Sequence, residues 1–350
     1  MADGGRKWLK LAGSVAVTGA LCAWAFRNAD WAGQWQSLKT AHYGWLVPYV
    51  GVLLGIHLFR TLRWGALLSG MERVPFRQLN QASGIGFMML LILPFRLGEF
   101  ARPFLIAQRS TLRRSAAMAT VVVERITDGL LIAVLLRSLL FFVDSRSPGI
   151  DRVLLGSNLL FVVFGGGALF LLFATWQQAR AVALVRMTAG KVSPALADKV
   201  AHVVGMFVGA MRQLPPAPQL VLFLVYTLAY WGLNGLGMAL LSRAFTGAEL
   251  TVFQGFVVLS VLIVFLMIPA APGMVGTFQG GIVLGMSLFL PAQVVNASGL
   301  AYANVMWLAQ TAQQVVVGLL LLATSHTRFS DVASQLGPEE APGTDAASPS

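Results

Sequence analysis

Residues 93–104 read LPFRLGEFARPF, Leu93 to Phe104, and set Arg96, Glu99 and Arg102 directly behind the apolar run SGIGFMMLLIL, Ser83 to Leu93. At about 1.5 Å of rise per helical residue, that run is too short to cross a hydrocarbon core roughly 30 Å thick. It predicts a hairpin that enters a membrane and turns back. Pro94 and Gly98 break the backbone at membrane depth, which is tolerated only where protein or a wet cavity surrounds it. A buried polar vestibule is therefore expected here, not a lipid-facing surface. On a helix starting near Leu97, Glu99 and Arg102 are three residues apart and share a face, which makes a compact paired site.

Composition supports the membrane setting. Of 350 residues, 57% are hydrophobic and only 11% charged, the signature of a polytopic membrane protein. The net charge of +11 does not point to nucleic acid, because the basic residues sit in short clusters between apolar segments, as in cytoplasmic loops facing anionic lipid. A lone Cys22 excludes an intramolecular disulfide framework and a cysteine metal site. His42, His57, His202 and His326 are scattered, so no histidine metal motif and no cofactor is expected.

From these cues the chain reads as an all-α polytopic membrane protein with about six transmembrane helices and two re-entrant helical hairpins. Residues 1–42 hold an N-terminal span and an outer loop. Arg6, Lys7 and Lys10 precede an apolar run from Leu11 to Phe26, which ends in CAWAF without a small-residue cleavage site and is therefore expected to stay as a span, with Trp24 and Trp31 as interfacial anchors. Residues 43–175 form a first membrane half with its hairpin at 79–108. Its first span, Tyr43 to Leu68, closes on RTLRWGALL, where Arg60 and Arg63 are expected to snorkel to the inner surface as a basic membrane edge.

The span from Ser115 to Val143 contains VVVERITDGLL. Each charge at mid-bilayer costs about 2.5–3.5 kcal/mol on insertion scales, so Glu124, Arg125 and Asp128 are expected to face inward. Glu124 and Asp128 are four apart, on one helix face, with Arg125 and Arg137 available as partners. Two roles stay open for them: an ion-pair staple between helices, or a site on a transport path. A further span runs from Val153 to Thr175.

Residues 176–216 are expected to form a cytoplasmic amphipathic connector. Ser193 and Pro194 start a helix with Leu196, Val200, Val203, Phe207 and Met211 as its apolar stripe. Residues 217–325 form a second half, with spans at Gln219 to Leu241 and Leu300 to Thr324. Between them lies a second hairpin at 252–290, where PAAPGMVGTFQGG interrupts two apolar arms. Gly273, Gly276, Gly280 and Gly281 are expected to leave backbone accessible. Thr277 and Gln279 add side-chain hydrogen bonds, so half-helix N-termini there are candidates to receive a phosphate or carboxylate; helix packing by small residues is the alternative. Residues 326–350 are acidic, rich in Pro, Gly, Ala and Ser, and expected to be disordered.

Of 25 Lys and Arg, sixteen fall on the inner side under this topology and five on the outer side, which places both termini in the cytoplasm. The two hairpins then enter from opposite faces, half a chain apart. That is the pattern of an inverted-repeat transporter with its site where the breaks meet.

PFRLGEFARP, VVVERITDGL and IPAAPGMVGTFQGG, in this order, resemble the flippase-like transmembrane domain of lysylphosphatidylglycerol synthases and its stand-alone relatives, over about Trp45 to Thr324. The resemblance implies an inner-membrane protein that moves a lipid or lipid-linked headgroup between leaflets. By motif match it transfers a headgroup path to Arg96, Glu99 and Arg102, to Glu124, Arg125 and Asp128, and to Pro272, Gly273, Gly276, Thr277 and Gln279. In two-domain members a soluble domain follows and transfers lysine from aminoacyl-tRNA. Only 26 residues follow Thr324 here, so synthase activity is not carried over.

The leading expectation is a lipid flippase or scramblase-like transporter whose partner is a membrane phospholipid or lipid-linked substrate. No G-x-x-x-x-G-K-[ST] segment supplies ATP hydrolysis, so downhill or proton-coupled movement is left. A membrane-embedded transferase using Glu124 and Asp128 as acid and base is the second class, though neither a G-x-S-x-G elbow nor a histidine metal motif supports it. The third is an accessory subunit of a lipid-modifying complex.

Overall fold

The computed structural model describes residues 19–20, 22–92, 98, 100–191, 193–211, 215–267 and 272–325, and every regular element among them is helical. Apolar length decides which of these helices can face lipid. Among the described residues four are long and apolar enough to cross a membrane: Tyr43–Leu68, Ile150–Trp176, Ala217–Ser242 and Ala292–Ala323. Val47, Leu155, Val162, Leu228 and Leu320 on these helices are all exposed, which is the side-chain pattern of a surface in contact with lipid tails.

In chain order, α1 is Trp31–Thr40 and α2 is Leu46–Leu68, entered through a 3₁₀ turn at Tyr43–Trp45. The first interrupted pair comes next as α3 (Phe76–Ile92) and α4 (Ala101–Ala107). Helix α5, Arg114–Leu140, has the 27 residues of a span but carries Glu124, Arg125 and Asp128 in its middle turns, so it is not among the four. The membrane-length helix Ile150–Trp176 is α6; α7 (Gln178–Ala189) and α8 (Pro194–Met211) connect to α9 (Ala217–Ser242). The second interrupted pair is α10 (Val252–Leu266) and α11 (Thr277–Ser287), and α12 is the helix Ala292–Ala323. Of the span expected at Leu11 to Phe26, residues 11–18 and 21 lie outside the described residues, as do 326–350.

Both interrupted pairs differ in their boundaries from the sequence reading. Helix α3 begins at Phe76, seven residues before Ser83, because the polar residues of its first turns find partners inside the protein. The Asn80 amide oxygen lies 2.8 Å from His57 Nε2, and Gln81 accepts from Arg109 and donates to the Thr324 carbonyl. Its 17 residues reach about 25 Å.

In the second pair the helix resumes at Thr277, not Ile282. Gly276 turns the chain at φ +83°, and its N–H donates to the Gln279 side chain at 2.8 Å, which starts α11 at once. Gly280 and Gly281 are consequently helical and buried. A Cβ on Gly281 would lie 2.8 Å from Leu262 Cα, so this glycine lets α11 close on α10 and does not expose backbone.

Four apolar clusters hold the helices among the described residues, and the two largest surround the interrupted pairs. One gathers Trp64, Leu68, Ile85, Met89, Leu105 and Ala117 around the first pair. The larger gathers Tyr49, Leu53, Ile132, Trp231, Val258 and Ile282 with the buried face of α12 around the second. Helix α2 belongs to both. At the far end of the molecule, α12 opens into a π turn at Val295–Gly299. The Asn296 carbonyl there accepts from Asp30 N–H at 3.2 Å, and Ser298 and Ser37 share a hydroxyl bond of 2.9 Å, which fastens α1 to α12.

Candidate functional site

Spacing on α5 builds the centre of the site. Glu124 and Asp128 sit one turn apart on one face, so a single planar guanidinium can span both. Arg63 of α2 does so. Its Nη2 lies 2.5 Å from Glu124 Oε1, and its Nη1 and Nη2 donate to the two Asp128 oxygens at 2.6 and 2.8 Å. Arg63 has no exposure at all, and its guanidinium stacks 4.4 Å from the centre of the Tyr230 ring.

The expectation that Arg60 and Arg63 snorkel to a basic edge is thus corrected. Two carboxylates facing inward from α5 offer Arg63 a stronger partner than water does. Arg137, expected as a partner, is exposed in the last turn of α5 and takes no part.

Around this centre the remaining charges are also engaged. Arg102 of α4 donates to Glu124 Oε2 at 3.1 Å, with its guanidinium 4.4 Å from the Trp64 ring and 4.7 Å from the Phe87 ring. Arg125 lies 3.1 Å from Asp128 Oδ2 and 3.7 Å from Glu124 Oε1. Trp231 of α9 donates its indole N–H to Asp128 Oδ1 at 2.9 Å. Trp64, next to Arg63, donates to Thr120 at 3.1 Å, which locks α2 against α5. Such a buried network is costly when incomplete and rigid when complete.

The network forms one end of a cavity of about 420 Å³, a size that suits a small-molecule headgroup. Both interrupted pairs line it: Phe87, Leu90 and Arg102 from the first, Leu266, Gly273 and Phe278 from the second. Its polar lining is of two kinds: Arg60, Arg102, Arg125 and Asp128 are charged, and Asn234, Gln310, Gln313 and Gln314 are amides. Arg60 stacks on Phe87 with its central carbon 3.1 Å from the ring centre. Arg102 Nε and Nη2, Arg60 Nε and Gln313 Nε2 are buried donors without a hydrogen-bond partner among the described residues. These unpartnered atoms are all donors.

The residues singled out by sequence are only partly brought together here. Arg102, Arg125 and Asp128 line the cavity, and Glu124 stands behind them, wholly buried. Arg96 and Glu99 lie outside the described residues. Pro272 opens the 3₁₀ turn of the second break, and Gly273 lines the cavity while its carbonyl accepts from Trp307 at 2.7 Å.

Gly276, Thr277 and Gln279 do not line the cavity and are engaged in bonds around the second break. The Thr277 hydroxyl donates to the Met274 carbonyl at 2.7 Å, and Gln279 takes the Gly276 N–H at the start of α11. Gln279 also donates to Asn304 at 3.2 Å, and Asn304 to Gln34 at 3.4 Å, a chain that fastens the second break to α12 and α1.

Sequence reasoning missed Arg63, Trp231 and the cavity amides. Glu124 and Asp128 hold the one signal that pointed to Arg63: two inward carboxylates one turn apart need a guanidinium on a neighbouring helix, and Arg63 is set in an otherwise apolar span. The amides have a signal too, since Gln310, Gln313 and Gln314 repeat at helical spacing within the last span.

None of the curated proteins and none of the solved structures matches the chain. The family described as lysylphosphatidylglycerol synthase TM region matches residues 11–330, which contain both interrupted pairs, the charged network and the cavity amides. With four helices of membrane length among its described residues, the chain is a multi-pass membrane protein belonging to the lysylphosphatidylglycerol synthase transmembrane family.

Proposed function

We propose that this protein moves a phospholipid or lipid-linked headgroup between the leaflets of the inner membrane, as a flippase or scramblase-like transporter with no catalytic step of its own. The observation that carries the reading is that residues from both interrupted pairs line one cavity beside a buried charged network. Irregular backbone at membrane depth belongs where it lines a cavity, and ionisable groups there mark a substrate path.

In this reading α3–α4 and α10–α11 are re-entrant hairpins from opposite leaflets, flanked by about six spans in an inverted repeat. Both termini are cytoplasmic. With Arg60 and Arg63 removed from the inner sixteen, fourteen basic residues remain inside against five outside, so the bias keeps its sign.

Reconstitution in liposomes tests this directly. Vesicles carrying fluorescent phospholipid in both leaflets should lose more signal to an impermeant quencher when the protein is present, and Asp128→Asn should reduce the rate. Loss equal to that of protein-free vesicles refutes transport. The enclosed Arg63–Glu124–Asp128 pairing favours one second reading, a staple in an accessory subunit of a lipid-modifying complex. Co-purification of a lipid-modifying enzyme together with no lipid movement would establish that reading, and turnover of lipid into a new product by the protein alone would replace both.

A further inference from the structure

The two kinds of polar residue lining the cavity together select among headgroups, given that the cavity receives a lipid headgroup as proposed. From them we infer that the headgroup is a phosphate ester bearing hydroxyl groups and no amine: an anionic polyol-phosphate or sugar-phosphate lipid, not the cationic aminoacyl lipid that the family description names.

Charge is the first observation. Arg60, Arg63, Arg102 and Arg125 face Glu124 and Asp128, which leaves the described network with two positive charges in excess. Arg96 and Glu99, next to it in sequence, carry one charge of each sign. A lysyl ester of phosphatidylglycerol has two ammonium groups against one phosphate and is itself positive, so it would meet repulsion. A phosphodiester without an amine neutralises half of the excess.

Acceptor capacity is the second. Asp128 is the carboxylate lining the cavity among the described residues, and it already takes two donors from Arg63, one from Arg125 and one from Trp231. A carboxylate has about four acceptor positions, so none is left for an ammonium. Donors, by contrast, are in surplus. Arg102 is 2% exposed, lines the cavity, and keeps Nε and Nη2 unpartnered among the described residues, and Arg60 keeps its Nε. Guanidinium groups of this kind bind phosphate oxygens in pairs.

The amides of the lining supply the third. Gln310, Gln313 and Gln314 stand at i, i+3 and i+4 on α12, with Asn234 of α9 beside them in the lining. Amides both donate and accept, which matches hydroxyl groups and offers no charge to an amine. Gln310 donates to the Tyr49 hydroxyl at 3.0 Å, which holds it in place, and Gln313 keeps a buried donor without a partner among the described residues.

The test uses the purified full-length protein in detergent, with binding of short-chain lipids followed by tryptophan fluorescence. Five probes are compared: dioctanoyl phosphatidylglycerol, a polyprenyl-phosphate sugar, dioctanoyl phosphatidylethanol, dioctanoyl phosphatidylcholine and dioctanoyl lysylphosphatidylglycerol. One of the first two should bind at least about tenfold more tightly than the last two, as expected from a charge-assisted hydrogen bond. Whichever is tighter names the source of the polyol.

Phosphatidylethanol has the charge without the hydroxyls and should fall between. Gln313→Leu should erase the advantage of the polyol over it. Arg102 also holds Glu124, so the charge test uses Arg60→Gln, which should lower the preference for anion over choline about tenfold, while Arg60→Lys retains most of it. Lysylphosphatidylglycerol binding as tightly as phosphatidylglycerol, or an unchanged preference in Arg60→Gln, overturns the inference. The expected preferences in a protein that moves no lipid in vesicles would remove the transport reading and leave this one standing.

Discussion

Replacing Arg63 with Met removes the guanidinium that joins α2 to α5 while keeping most of its volume. Three close charged contacts disappear, to Glu124 at 2.5 Å and to Asp128 at 2.6 and 2.8 Å. Removing one partner of a buried ion pair costs about 3–5 kcal/mol, because the other charge stays buried. Here the lower end applies: Glu124 keeps Arg102 at 3.1 Å, and Asp128 keeps Arg125 at 3.1 Å and the Trp231 indole.

At about 2.1 cal/mol/K of unfolding entropy per residue, a loss of about 3 kcal/mol corresponds to a fall of about 4 °C in melting temperature for a chain of this size. Purified protein in detergent, melted while its intrinsic fluorescence is recorded, gives the number. Arg63→Lys keeps the charge without the planar fork and should fall between the wild type and Arg63→Met. Adding Asp128→Asn to Arg63→Met should cost clearly less than the two single losses together, by about 0.5–3 kcal/mol. A fall of under about 2 °C for Arg63→Met, as expected of an arginine at a wet membrane edge, would refute the enclosed pairing.

Three further outcomes are expected. Trp231→Phe removes the indole donor to Asp128 and should cost about 2 kcal/mol in the same melt; a melting point equal to wild type would show that the bond does not form. Gly276→Ala forces a side chain onto φ +83° and against Cys22 Sγ, 2.6 Å from the new Cβ, and should cost about 1–3 kcal/mol, seen as a lower melting point than the wild type's. In a Cys22→Ser background, a cysteine at exposed Ser145 should react with an impermeant maleimide in intact cells, while one at exposed Gln177 should react only after lysis. The reverse pattern would invert the proposed orientation.

How far each feature is legible in the sequence depends on the range of the interaction behind it. The interruptions at Pro94 to Gly98 and Pro272 to Gly276 are local, because proline removes a helix hydrogen bond and a nearby glycine admits a turn, and the structure has separate helices on either side of both. The inward face of Glu124 and Asp128 is local as well, fixed by a spacing of four. Arg63 was hidden because its role depends on a helix more than sixty residues away. Taken alone, an arginine near the end of an apolar span and close to Arg73 and Arg77 reads as a basic border.

Thr277 and Gln279 are ambiguous for a related reason. Polar side chains behind a glycine break suit an incoming anion as well as they suit the helix's own first turn. In the folded arrangement Gln279 is bonded to Gly276 and Asn304, a pairing no local pattern shows. The glutamines of α12 are legible as a spacing, but their meaning needs Arg60 and Arg102 in the lining of the same cavity.

Helix α2 contributes Trp64 and Leu68 to one core and Tyr49 and Leu53 to the other. Neither half of the chain is therefore self-sufficient. A fragment ending in the connector would leave the Tyr49 side of α2 bare. One beginning at α9 would lack the surface on which its own Trp231 and Met238 settle. Whatever modular origin two such halves had, each now depends on the other to complete its interior, and the two should be obtained together or not at all.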